Sequence, residues 1–127
     1  MGMAQFEFSQ SNLTMKLSRM ESLGGFHASP VVTWQQVAGA EAVDNLWPYL
    51  RGFRAPGTGI PGVLMLGSTR NKAGRDFCAV RGNKPGVIVS LGEGEFNRWL
   101  MSTDTITTAQ FLAKEVLRQA RFDPAAR

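Results

Sequence analysis

One cysteine and one histidine among 127 residues leave this chain little with which to do covalent or metal chemistry. Cys78 has no second thiol to pair with, so no internal disulfide forms, and without a CxxC pair there is no zinc knuckle. The fold must rest on packing, and a reducing cytoplasm suits it. With His27 the only imidazole, a metal would depend on carboxylates, and these are scattered along the chain. Ser29 lies close after His27 and Asp44 further downstream, but no nucleophile elbow or oxyanion-hole motif accompanies them. Cys78 falls mid-strand between Phe77 and Ala79, where a buried, inert thiol is expected. These shortages point away from an enzyme, and no cofactor is expected.

Other absences narrow the partners. No apolar run approaches the roughly 20 residues of a membrane span, and the N-terminus lacks the basic-then-apolar layout of a signal peptide. Phe6 stands where a myristoylation motif wants Ser or Thr. A cytoplasmic protein is the expectation. No GxxxxGK[ST] loop is present for nucleotide phosphates. Tyr49, Phe53 and Phe77 lie among arginines as stacking platforms would, yet no RNP-like or KH-like signature accompanies them, so nucleic acid is not the expected partner. Glu93 and Glu95 flank Gly94 in a turn, where solvated charge is the usual state.

What the chain does have is 43% hydrophobic content, enough for one domain with a proper core over residues 4–122, ahead of a short tail at 123–127. The net charge is +4 and the pI about 9.8. Its distribution is uneven. Arg51, Arg54, Arg70, Lys72, Arg75, Arg81 and Lys84 face a single acid, Asp76, so residues 51–84 carry a net +6.

Phe6 and Phe8 alternate with Gln5, Glu7 and Ser9, and Leu13, Met15 and Leu17 alternate with Asn12, Thr14 and Lys16, predicting two strands joined by a tight link at Gln10-Ser11. Ser18 and Glu21 have capping-box spacing ahead of Gly24-Gly25, predicting a short helical turn over 19–23. Residues 31–34 and 39–43 lean towards strand, and Asp44 is placed to cap a turn through Leu46 and Trp47.

Residues 51–62 contain four glycines, two prolines and two arginines, a composition that predicts a shaped loop and no regular ladder. Arg51, Arg54 and Thr58, with Arg70 and Arg75, are the candidate anion-binding set, suited to a phosphate or carboxylate. The competing reading is structural, with glycines supplying turns and the arginines bonding nearby carbonyls or Asp44.

Beyond it, strands are predicted at 63–67, 76–80, 87–91 and 97–101, spaced as in an antiparallel meander. Residues 107–121 read as an amphipathic helix with Ile106, Ala109, Leu112, Ala113, Val116 and Ala120 on one stripe. Thr105 or Thr107 can cap it, and Pro124 bars its continuation. The expected class is mainly β, about seven strands followed by a C-terminal helix.

That order, together with Arg51-Gly52-x-Arg54-x-Pro56-Gly57-Thr58-Gly59-x-Pro61-Gly62, Gly67, Phe77, Pro85-Gly86-Val87-x-Val89 and Phe96-x-Arg98-Trp99-Leu100, resembles the bacterial pleckstrin-homology-like (PH-like) domain proteins. The resemblance implies an antiparallel β-barrel of about seven strands capped by the helix, and it brings no catalytic residues. Phosphoinositide-binding relatives of that fold carry a Lys-x(n)-Lys-x-Arg pattern on the first two strands and their loop. Here Lys16 and Arg19 are the only bases in that region, a departure that argues against such a headgroup site.

Strands in the second half are apolar on both sides, as in Val63-Leu64-Met65-Leu66, Val87-Ile88-Val89 and Trp99-Leu100-Met101. Small antiparallel sheets normally solvate one face. Either the C-terminal helix and the segment around Trp34 and Trp47 cover the second side, or another subunit does. Leu64, Leu66, Ile88, Trp99 and Phe111 are therefore the candidate interface. The expected function is a non-catalytic protein-interaction or assembly module, self-associating as a homo-oligomer. The alternative is a binding module for an anionic small molecule or lipid headgroup, with peripheral contact to anionic lipid through the arginine-rich loop.

Overall fold

Period-two alternation at the N-terminus does what it predicts. In the structure, a computed structural model describing residues 4–17, 29–50, 53–60, 64–72, 74–92 and 94–122 (53–60, 64, 71 and 122 by their backbone), β1 spans Gln5–Phe8 and β2 spans Asn12–Lys16. They pair antiparallel with Phe6 opposite Met15 and Phe8 opposite Leu13. The link is closed by Ser9: its N–H donates to the Asn12 carbonyl at 3.0 Å, and its Oγ accepts from the Asn12 N–H at 3.0 Å. Leu13 and Met15 are fully enclosed. β3, Val31–Thr33, adds to β2 and completes a three-stranded sheet. The helical turn expected over 19–23 lies outside the described residues.

The second sheet has six strands: β4 (Val37–Val43), β5 (Phe53–Ile60), β6 (Leu64–Asn71), β7 (Gly74–Arg81), β8 (Gly86–Leu91) and β9 (Arg98–Ser102). Their order is β4-β8-β9-β7-β6-β5.

Two expectations are corrected here. Residues 53–60 form an edge strand and not a loop, pairing with β6 through Gly57 opposite Gly67 to Ile60 opposite Leu64. An edge strand needs ladder bonds on one side only, so Pro56 is tolerated where the register shifts between Arg54 and Gly57. The later strands are also not a simple meander. β9 inserts between β7 and β8, parallel to the former and antiparallel to the latter. The short β7–β8 link crosses the end of β9 and is tied to it, because the Thr103 N–H donates to the Pro85 carbonyl at 2.9 Å. The Arg81 N–H likewise donates to Ser102 Oγ at 2.9 Å.

Helix α1, Ile106–Phe122, follows the expected stripe. Ala109, Ala113 and Val116 are buried, and Ile106, Leu112 and Ala120 pack beside them. Thr105 caps it, its Oγ1 accepting from the Thr108 N–H at 3.1 Å.

Both faces of the six-stranded sheet are covered within the chain. On one, Leu66, Phe77, Val89, Trp99 and Met101 meet the small sheet and α1. On the other, Cys78, Val80, Ile88 and Leu100 meet Val43 and Leu46, with Trp47 and Leu50 packed against them. A 3-10 turn at Trp47–Tyr49 holds that second cover, and Trp47 Nε1 donates to the Gly82 carbonyl at 2.7 Å. The acceptor at the start of this turn is Asn45 Oδ1, 3.1 Å from the Trp47 N–H, in place of the expected Asp44.

The architecture is thus mainly β, two sheets and one C-terminal helix. The larger sheet runs from β4 at one end to β5 at the other.

Candidate functional site

Four of the five candidate anion-binding residues fall on β5, β6 and β7. Arg51 lies outside the described residues. Arg54 and Thr58 occupy β5, with Arg54 in register with Thr69 and Thr58 with Leu66. Arg70 and Arg75 face each other across the β6–β7 hairpin, like charges in direct opposition. Such a pair is unfavourable unless a counter-charge intervenes. Glu95 supplies it: Arg75 Nη1 sits 3.2 Å from Glu95 Oε2, Arg75 Nη2 donates to Ser68 Oγ at 3.2 Å, and the guanidinium lies 5.2 Å from the Phe96 ring centroid. Arg75 is therefore a brace, its charge already engaged. Arg70 and Lys72, both exposed, remain as cations at the hairpin tip.

The candidate interface set divides. Leu66, Ile88 and Trp99 are 5%, 2% and 0% exposed, each enclosed by the cover over its own face of the sheet. They offer no free surface, a correction to their expected role: the chain's own helix, small sheet and Leu46–Leu50 segment do the covering. The Leu64 side chain lies outside the described residues. Phe111 is 61% exposed, on the side of α1 away from its buried stripe.

A buried polar group that local sequence patterns do not reveal lies on the second face. Asp76 and Arg98 are register partners on the parallel β7–β9 pair. Arg98 donates from Nη2 to Asp76 Oδ2 at 2.6 Å and from Nε to the same oxygen at 3.1 Å, and from Nη2 to the Tyr49 carbonyl at 2.8 Å. This joins β7, β9 and the Trp47–Tyr49 turn. Beside it, burial pushes the Cys78 thiol up to about 12, with the Asp76 charge adding to the rise. A thiol so placed stays protonated at neutral pH and has no nucleophilic character.

On the large sheet, what remains open is its two edges. β4 pairs with β8 alone and β5 with β6 alone among the described residues. Beside the C-terminal half of β4 runs an open groove of about 580 Å³, bounded by Glu41 and Asp44 of the strand end, Pro48 and Tyr49 of the turn, and Ile106 and Gln110 of α1. Its charged lining is acidic only. The β5 edge has the opposite character: residues 53–72 hold Arg54, Arg70 and Lys72 and no acid at all. Residues 37–45 hold Glu41 and Asp44 and no base. The charges could be read from the sequence, but not that both segments end up as sheet edges.

Among the described residues no cluster of three or more His, Cys, Asp or Glu side chains forms a metal site, and no helix is long and apolar enough to cross a membrane. No family model, curated protein or solved structure matches this chain.

Proposed function

We propose that this chain is a non-catalytic protein-interaction and assembly module of PH-like fold that associates with copies of itself in the cytoplasm. The observation that carries the proposal is that β4 and β5, the end strands of a sheet whose two faces are already covered, are unpaired on their outer sides among the described residues. An unpaired strand presents a row of N–H and C=O groups that another strand can satisfy. The apolar faces do not argue for association; the edges do. Phe111, next in sequence to Gln110 of the groove wall, supplies an exposed aromatic at the same end of the sheet.

The PH-like reading is supported by a mainly antiparallel set of strands ended by one amphipathic helix, and not by closure, since β4 and β5 are separate ends. The non-catalytic reading is supported by the inert state of Cys78. Sedimentation velocity over a wide concentration range tests the proposal: association that rises with concentration is expected, and a monomer at every concentration refutes it.

One observation favours the alternative, an anionic small molecule or lipid headgroup. Arg70 and Lys72 are exposed at a hairpin tip where Glu95 is occupied by Arg75. Vesicles with and without anionic lipid separate the readings. Binding that depends on anionic lipid and falls with an Arg70→Ala, Lys72→Ala double change would favour the headgroup.

A further inference from the structure

The strand directions of the large sheet fix how two copies can meet. β4 is antiparallel to β8, β8 to β9, β9 is parallel to β7, and β7 and β6 are each antiparallel to the next strand. β4 and β5, at opposite ends, therefore run in the same direction. A second copy moved along the sheet without being turned over brings its β5 alongside the first copy's β4, with both sets of covered faces kept on the same sides. Each edge offers a regular run beyond a register shift: five residues, Gly39–Val43, on β4 and four, Gly57–Ile60, on β5.

Charge selects among the possible contacts. Joining β4 to β4 sets Glu41 and Asp44 of one copy against the same acids of another. Joining β5 to β5 brings the acid-free segment 53–72 against itself. Joining β5 to β4 brings the acid-free segment 53–72 to the base-free segment 37–45. Like-charge opposition disfavours the first two and attraction favours the third.

Resting on the assembly reading above, the geometry points to a head-to-tail contact. The groove between β4 and α1 receives the β5 edge of a second copy, and the edge that carries Glu41 meets the edge that carries Arg54, which is level with Gly39 across the sheet. Such a contact uses a different patch on each partner. It leaves one free groove and one free strand on every pair, so growth continues past the dimer.

Paired charge reversals test this. One variant carries Glu41→Lys and Asp44→Lys, making both of its edges basic; the other carries Arg54→Glu and Arg70→Glu, making both acidic. By sedimentation velocity the wild-type chain is expected to form species larger than a dimer. Each variant alone should associate at least about tenfold more weakly, and an equimolar mixture should assemble again. The milder Glu41→Gln, Asp44→Asn pair, checked by circular dichroism to be folded, should weaken assembly in the same direction.

A mixture that associates no better than its components overturns the head-to-tail contact while leaving self-association intact. So does wild-type assembly that stops at a dimer. A wild-type chain that is monomeric at every concentration removes the assembly reading itself. One that stays monomeric yet binds a Lys/Arg-rich extended peptide in the groove shows that the occupant is a different chain.

Discussion

Arg98 holds Asp76 across the parallel β7–β9 pair, its Nη2 2.6 Å from a carboxylate oxygen whose side chain is only 1% exposed. The two ions are unequal in their access to water, since the Arg98 side chain keeps 15% exposure and a second acceptor in the Tyr49 carbonyl. Removing the arginine takes the counter-charge from a buried carboxylate. Removing the carboxylate leaves a cation that still reaches solvent. Arg98→Ala is expected to cost about 3–5 kcal/mol and Asp76→Ala clearly less, because losing the counter-charge of the more deeply buried ion dominates such losses. Urea denaturation of both variants checks the order, and equal losses would contradict it.

The Cys78 thiol gives the fold a dependence on alkaline pH. Its folded value of about 12 lies above its ordinary 9.0, so the native state binds this proton more tightly than the unfolded chain does. The stability linked to it is fully present below pH 9.0 and is lost as pH climbs towards about 12. Cys78→Ser should flatten that part of the stability curve. At neutral pH, a thiol reagent should label the native protein only as fast as it unfolds, and rapid labelling of folded protein would contradict the burial.

Gly86 begins β8 where no side chain fits. A Cβ there would overlap the Met101 carbonyl oxygen and Leu46 Cδ1, one of them backbone of the neighbouring strand. Gly86→Ala is expected to cost about 1–3 kcal/mol through overpacking. A lowered midpoint in thermal unfolding checks it, and an unchanged midpoint would show that β8 and β9 can separate freely.

Trp99 and Phe111 make a contrasting pair of aromatics. Trp99 is fully enclosed, so Trp99→Ala should remove about 3–5 kcal/mol of stability. Phe111 is mostly solvent-exposed, so Phe111→Ala should stay within about 0.5 kcal/mol of the parent. The same Phe111 change is expected to weaken self-association. Stability and association should thus separate cleanly in the two variants.

The sequence made local periodicity legible and long-range pairing illegible. The α1 stripe and the first hairpin follow from spacing, because Ala109, Ala113 and Val116 or Leu13 and Met15 must share a face whatever else the chain does. The composition of 53–60 misled because it argues against a strand bonded on both sides, whereas an edge strand is bonded on one. Nothing local distinguishes β9 lying beyond β8 from β9 lying between β7 and β8, since the same turn-rich spacing serves both. The basic residues look like one cluster along the chain. The β6–β7 hairpin carries Arg70 and Lys72 to its tip and leaves Arg81 at its other end, opposite Leu64.

β9 occupies the middle of the large sheet, yet its residues 98–102 come near the end of the chain. During synthesis β5, β6 and β7 can zip together as soon as they emerge, and β4 can find β8, but these two halves lack the strand that lies between them until the last quarter of the chain is made. Until then the nascent molecule exposes inner strand borders that the finished one hides. A chain stopped short of Ser102 is expected to be not a smaller version of this protein but two unfinished pieces, each prone to pair with a stranger.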